Sequence, residues 1–76
     1  MTKIKVKFSD WSAKDMKNWL IAHVGKFKYT VGDTMYHDVG NGWQLYIAMP
    51  PTNTSVFWIA EISSDEQATA FKLRFL

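Results

Sequence analysis

The stretch Ser63-Ser64-Asp65-Glu66-Gln67-Ala68-Thr69-Ala70-Phe71-Lys72-Leu73-Arg74-Phe75-Leu76 decides the fold, because it can be read with two periods. Ser64 with Gln67 three residues on, and Asp65 and Glu66 between them, reads as a helix start. The serine hydroxyl and the carboxylates satisfy or attract the free amide groups of a first turn. Ala68, Phe71 and Phe75 then recur at helical spacing. Read with period two, Phe71, Leu73 and Phe75 alternate with Lys72 and Arg74, a pattern that would make residues 70–76 an edge strand. Alanine, glutamine, the cap and the cations near the C-terminus favour the helix, with the strand as the alternative.

Upstream of this stretch, Val56–Ile62 reads as a strand, apolar on both faces at Phe57 and Trp58 and therefore central or covered. It follows Pro50-Pro51, which ends the preceding strand, and a polar loop over Thr52–Ser55. Trp43–Met49 alternates, with Trp43, Leu45, Ile47 and Met49 on one side. The turn before it is Gly40-Asn41-Gly42, residues that tolerate positive φ. From Lys26 the period is two, with Phe27, Tyr29 and Val31 sharing a face. Gly32-Asp33 fits a hairpin turn with the returning strand over Thr34–Val39.

The chain's first elements are a strand and a helix. Lys3-Ile4-Lys5-Val6-Lys7-Phe8 alternates strictly, so one face is apolar and the other carries lysines. Ser12 caps a helix running to about His23, with Asp15 as the capping acid and Trp11 and Met16 as a hydrophobic staple. Met16, Trp19, Leu20 and Val24 recur at helical spacing, and Gly25 is placed to end the helix. The predicted order is β-α-β-β-β-β-α. That is an α+β domain, a four- to five-stranded, mainly antiparallel sheet with two helices on one face.

Seventy-six residues form one domain, 1–76, and the 47% hydrophobic content with four Trp, five Phe and three Tyr supplies a core without disulfides, since cysteine is absent. Neither a secretory signal nor an apolar run of about 20 residues is visible, so a cytoplasmic protein without a membrane span is expected. The net charge of +2 is unevenly placed. Lys3, Lys5, Lys7, Lys14, Lys17, Lys26 and Lys28 fall in the first 28 positions, against Asp10 and Asp15 alone.

No residue pattern marks a catalytic, cofactor or metal site, and the expectation is that the protein is not an enzyme. His37 and Asp38 are neighbours on a strand and point to opposite faces. Asp33 and His23 complete no constellation with them, and Gly40-Asn41-Gly42 lacks the strand-to-helix context of a phosphate loop. The candidate interaction residues are Lys3, Lys5, Lys7, Lys26 and Lys28 with Tyr36 and Tyr46. A lysine row on a strand repeats at about 6.5–7 Å, close to the phosphate spacing of a nucleic-acid strand. Tyr36, Tyr46 and Tyr29 could stack on bases. Against this, lysines on an edge strand are an ordinary defence against edge-to-edge pairing, and most aromatic residues of so small a domain are needed as packing.

The closing pattern resembles the ending of small proteins from T4-like tailed bacteriophages. The residues that carry it are the strand Val56–Ile62, Ser64-Asp65-Glu66-Gln67-Ala68, and Ala70-Phe71-Lys72-Leu73-Arg74-Phe75. The resemblance covers roughly the last twenty residues. It implies that Ala70, Phe71, Leu73 and Phe75 belong to the fold, and it implies no chemistry. It also implies a host-cell cytoplasmic location and a role as phage accessory or host-takeover factor. The resulting expectation is a small non-enzymatic binding protein whose partner is a host or phage protein. The alternative is a nucleic-acid-binding module using the lysine row and tyrosines.

Overall fold

The computed structural model describes residues 2–32, 36–48 and 56–76. In chain order they form β1 (Thr2–Lys7), α1 (Ala13–His23), β2 (Phe27–Thr30), β3 (His37–Gly40), β4 (Trp43–Ala48), β5 (Phe57–Ile62) and α2 (Asp65–Phe75). The expected α+β order is the observed one. All five strands are antiparallel in one sheet, in the spatial order β1-β5-β4-β3-β2. The strands from β2 to β5 form a meander. β1 adds to the far side of β5, so α1 carries the chain from one edge of the sheet to the other.

Of the two periods in the closing stretch, the helical one wins. Ser64 caps α2 by accepting from the Gln67 backbone N–H at 3.3 Å, and Ala68, Phe71 and Phe75 are buried. The Phe71 ring meets Trp19 of α1 edge-on at 5.6 Å and lies 4.6 Å from Phe75. A strand would have turned Leu73 to the same side as the two phenylalanines. Instead Leu73 is 84% exposed, and Ala70 is exposed as well. The four residues the phage resemblance implies for the fold all lie in α2, where Phe71 and Phe75 are buried and Ala70 and Leu73 are exposed.

Ser12 caps α1 by accepting from the Asp15 N–H at 3.2 Å, and the helix spans the expected residues. Met16 and Leu20 are buried against the sheet face formed by Ile4, Val6, Trp43, Leu45, Trp58, Ala60 and Ile62. Both helices cover this one face. Three indole N–H groups find backbone carbonyl acceptors at its rim: Trp43 on Gly25 at 2.8 Å, Trp11 on Phe75 at 3.1 Å and Trp58 on Trp11 at 3.1 Å. Large rings are thereby buried without stranding their polar atoms.

Three local expectations are revised. Gly40 is the last residue of β3, leaving Asn41-Gly42 as the turn, with Gly42 at φ +86°. Gly40 is required for space: a Cβ there would overlap the Trp43 indole. Gly25 likewise ends α1 with a negative φ, and a Cβ there would run into the Asn41 carbonyl. Finally, Phe27, Tyr29 and Val31 do not share a face. Phe27 pairs with Gly40 and Tyr29 with Val39, a register shift at Lys28 that turns Phe27 toward the helices, under the Lys17 ammonium at 4.2 Å. Met49, Pro50-Pro51, Thr52–Ser55 and the residues expected to continue the Gly32 turn, 33–35, lie outside the described residues.

Candidate interaction surface

The sheet has a second face, and neither α1 nor α2 covers it. Because side chains alternate along each strand, the pairing register fixes which residues share that face. One row across it reads Lys3, Glu61, Gln44, Val39 and Tyr29. The next reads Lys5, Ile59, Tyr46 and His37, with Val31 bonded beyond through its N–H to the His37 carbonyl at 2.8 Å. The third reads Lys7, Phe57 and Ala48.

On its inner strands this face mixes Phe57, Ile59, Tyr46 and Val39 with Glu61, Gln44 and His37, and it is basic along one edge. Ile59 is only 6% exposed, with Lys5 and Tyr46 as its cross-strand neighbours and Phe57 and Glu61 beside it on the same face of β5. The Lys5 ammonium lies 5.5 Å from the Phe57 ring centroid, a cation–π contact that lays the lysine stem over the sheet. The Tyr46 hydroxyl donates to Glu61 Oε2 at 2.5 Å. Partial burial first, then the bond to Glu61 and its negative charge, push the Tyr46 pKa up to about 12. His37 Nε2 bonds Gln44 Oε1 at 2.9 Å, and its ring tilts on Tyr46 with centroids 5.0 Å apart. At the far edge Tyr29 is 54% exposed.

The structure divides the residues singled out in the sequence. Lys3, Lys5, Lys7 and Tyr46 come together on the open face. Lys26 and Lys28 are exposed at the opposite edge, about 19 Å away across four inter-strand spacings. Tyr36 is on the other face altogether. It is half-buried, packs edge-on against Trp58 at 5.2 Å, and its backbone carbonyl accepts from Ile47 at 3.2 Å. The lysine row and the two tyrosines therefore do not make one stacking surface.

Tyr36 belongs instead to a polar cluster under α1 that the sequence does not advertise. Asp38 is 3% exposed. Its carboxylate accepts from Thr30 Oγ1 at 2.7 Å and the Tyr36 hydroxyl, and pairs with the Lys17 ammonium at 3.1 Å. Burial alone would raise the Asp38 pKa. The hydrogen bonds from Tyr36, Thr30 and Lys17, with the lysine charge, outweigh it and hold the carboxyl below its ordinary value. The same cluster raises Tyr36 well above the usual phenol range, through burial first and then the bond to Asp38 and its charge. No buried side-chain polar atom among the described residues lacks a partner, and the cluster is a structural clasp between α1 and β3. His23, which the sequence pairs with nothing, stacks on Trp19 at 4.6 Å and offers its backbone carbonyl to Gln67 Nε2 at 2.8 Å.

Among the described residues no group of three or more His, Asp or Glu side chains is arranged to hold a metal ion. No helix among them is long and apolar enough to cross a membrane. In comparisons with protein families, curated proteins and solved structures, the chain matches none.

Proposed function

We propose that this is a small binding protein, without catalytic chemistry of its own, that engages another protein through the helix-free face of its sheet. The observation that carries the reading is the make-up of that face: partly exposed Phe57, Tyr46 and Val39, set among Glu61, Gln44 and His37, beside a row of three lysines. Protein interfaces combine an apolar, aromatic core with a polar rim in this way. The T4-like character of the closing stretch supports a host or phage protein as the partner and a phage accessory or host-takeover role. The test is affinity capture from bacterial lysate with the wild-type chain and with a Phe57→Asp, Val39→Asp variant. A stoichiometric protein retained by the first and lost by the second is expected. Capture of nothing, or equal capture by both, would sink the reading.

Nucleic-acid binding is the second reading, favoured by the lysine row sharing a face with Tyr46 and Phe57. It is weakened by Glu61, whose carboxylate stands directly across from Lys3 and would repel a phosphate chain. Titration of single- and double-stranded oligonucleotides at about 50 and 200 mM salt separates the two, because phosphate contacts lose affinity steeply with salt. Absence of binding at the lower salt would end this alternative.

A further inference from the structure

We infer that the outer edge of β1 is a docking strand for an extended, acidic segment of a protein partner. The segment lies beside β1 and under the flank of α2 next to it. The inference rests on the binding role proposed above and gives that role a partner chemistry and a mode of attachment.

β1 is an edge strand whose only strand partner among the described residues is β5. Its alternate N–H and C=O groups on the other side have no strand to bond among the described residues, and six residues pair with β5 without proline or a shift of register. Lys3, Lys5 and Lys7 guard this regular edge against neutral or basic strands, but not against an acidic one. The opposite edge differs: β2 has four residues and is broken by the shift at Lys28. The β1 edge therefore offers the better template for strand addition, in which main-chain bonds supply attachment and alternate side chains supply selectivity.

The lysines decide which strand can add. Two copies of β1 paired antiparallel about Lys5 would set Lys5 against Lys5 and Lys3 against Lys7, and like charges directly opposite are destabilising. A second copy of this chain is thus disfavoured. A strand with Asp or Glu at every second position reverses the sign at each of the three sites. Among the described residues no ion pair already occupies these lysines.

The alternate positions of such a segment would face α2. Thr2 Oγ1 donates to Asp65 Oδ1 at 3.1 Å, which fixes one flank of α2 beside the start of β1. Thr69 and Lys72 follow Asp65 by four and seven residues and so share that flank. Leu76 follows Lys72 by one more turn and is exposed. The fitting segment alternates acidic residues, toward Lys3, Lys5 and Lys7, with apolar or small residues toward Thr69, the Lys72 stem and Leu76.

The test is amide NMR and hydrogen exchange on the full chain with three synthetic peptides: alternating glutamate and valine, the same peptide with a central proline, and alternating lysine and valine. The glutamate peptide is expected to shift and protect amides of β1 and of Thr69–Lys72, and the proline peptide is not. Combined Lys3→Glu, Lys5→Glu and Lys7→Glu substitution, with the fold verified by circular dichroism, should weaken the glutamate peptide about tenfold or more. It should also let the lysine peptide bind in its place. Shifts confined to the helix-free face, no shifts at all, equal binding of the proline peptide, or shifts in β1 from a single-stranded oligonucleotide alone would overturn the docking strand. Those outcomes leave the face-variant capture experiment standing by itself, so failure here and failure of the binding role are read separately.

Discussion

At Asp38 a single carboxylate gathers Thr30, Tyr36 and Lys17, joining β2, β3 and α1. Asp38→Asn keeps the shape and removes the charge, and is expected to cost about 1.5 kcal/mol at neutral pH, toward the low end for a charged hydrogen bond because Lys17 is partly in solvent. The sign of the pH dependence follows from the lowered pKa. The contribution is complete above the ordinary carboxyl value of 3.8 and disappears as pH falls through the lower value in the folded protein. Urea denaturation should therefore show the wild-type and variant stabilities converging in acid, and a gap that stays constant to low pH would contradict the clasp. Tyr46 titrates the other way. Its hydroxyl holds its proton up to about 12 in the folded chain against 10.0 ordinarily, so its bond to Glu61 contributes fully below 10 and is lost as pH rises through 12. Absorbance titration of tyrosinate should show a step near pH 12 that Tyr46→Phe removes. The lowered carboxyl was not legible in the sequence: His37-Asp38 showed only that the two side chains diverge, and the partners of Asp38 come from β2, α1 and the residue before β3.

α2 shows how far an element can be read from its residues. The cap Ser64-Asp65-Glu66-Gln67 and the spacing of Ala68, Phe71 and Phe75 pointed to a helix, while Phe71, Leu73 and Phe75 also fitted a strand. The two assignments differ in the side to which Leu73 turns, so substitution at that residue separates them in solution. Phe71→Ala is expected to cost about 3–5 kcal/mol through the cavity it leaves among Trp19 and Phe75. Leu73→Glu should change stability by no more than about 0.5 kcal/mol. Thermal melts of the two variants check both, and a large loss at Leu73 would restore the strand. β2 was less legible than α2. Its alternation hid the shift at Lys28, because a bulge leaves no mark when the residue before it and the residue after it are both aromatic. That Tyr36 and Tyr46 lie on opposite faces was hidden for a related reason: period two assigns a face only once the register with neighbouring strands is known.

For the whole molecule, the order of elements and the helix-covered core were readable because each segment's period was clear. What the sequence lacked was the spatial order of the strands, and with it the separation of Lys26 and Lys28 from the lysine row by the full width of the sheet. Charge at the β1 edge has a measurable consequence for the molecule as a unit. Replacing Lys3, Lys5 and Lys7 together by threonine keeps strand propensity but removes the repulsion between edges. Sedimentation velocity is expected to show that this variant self-associates with rising concentration while the wild type does not. The same topology also sets an order of events in time. The meander from β2 to β5 closes through neighbours, whereas β1 must wait for β5, from which α1 and three strands separate it in sequence. Pairings so distant in sequence pay their loop entropy late and slow the final folding step. During synthesis β1 leaves the ribosome well before β5, so it waits unpaired while α1 and three strands are made, and its lysines keep Ile4 and Val6 from finding another chain before their own partner exists.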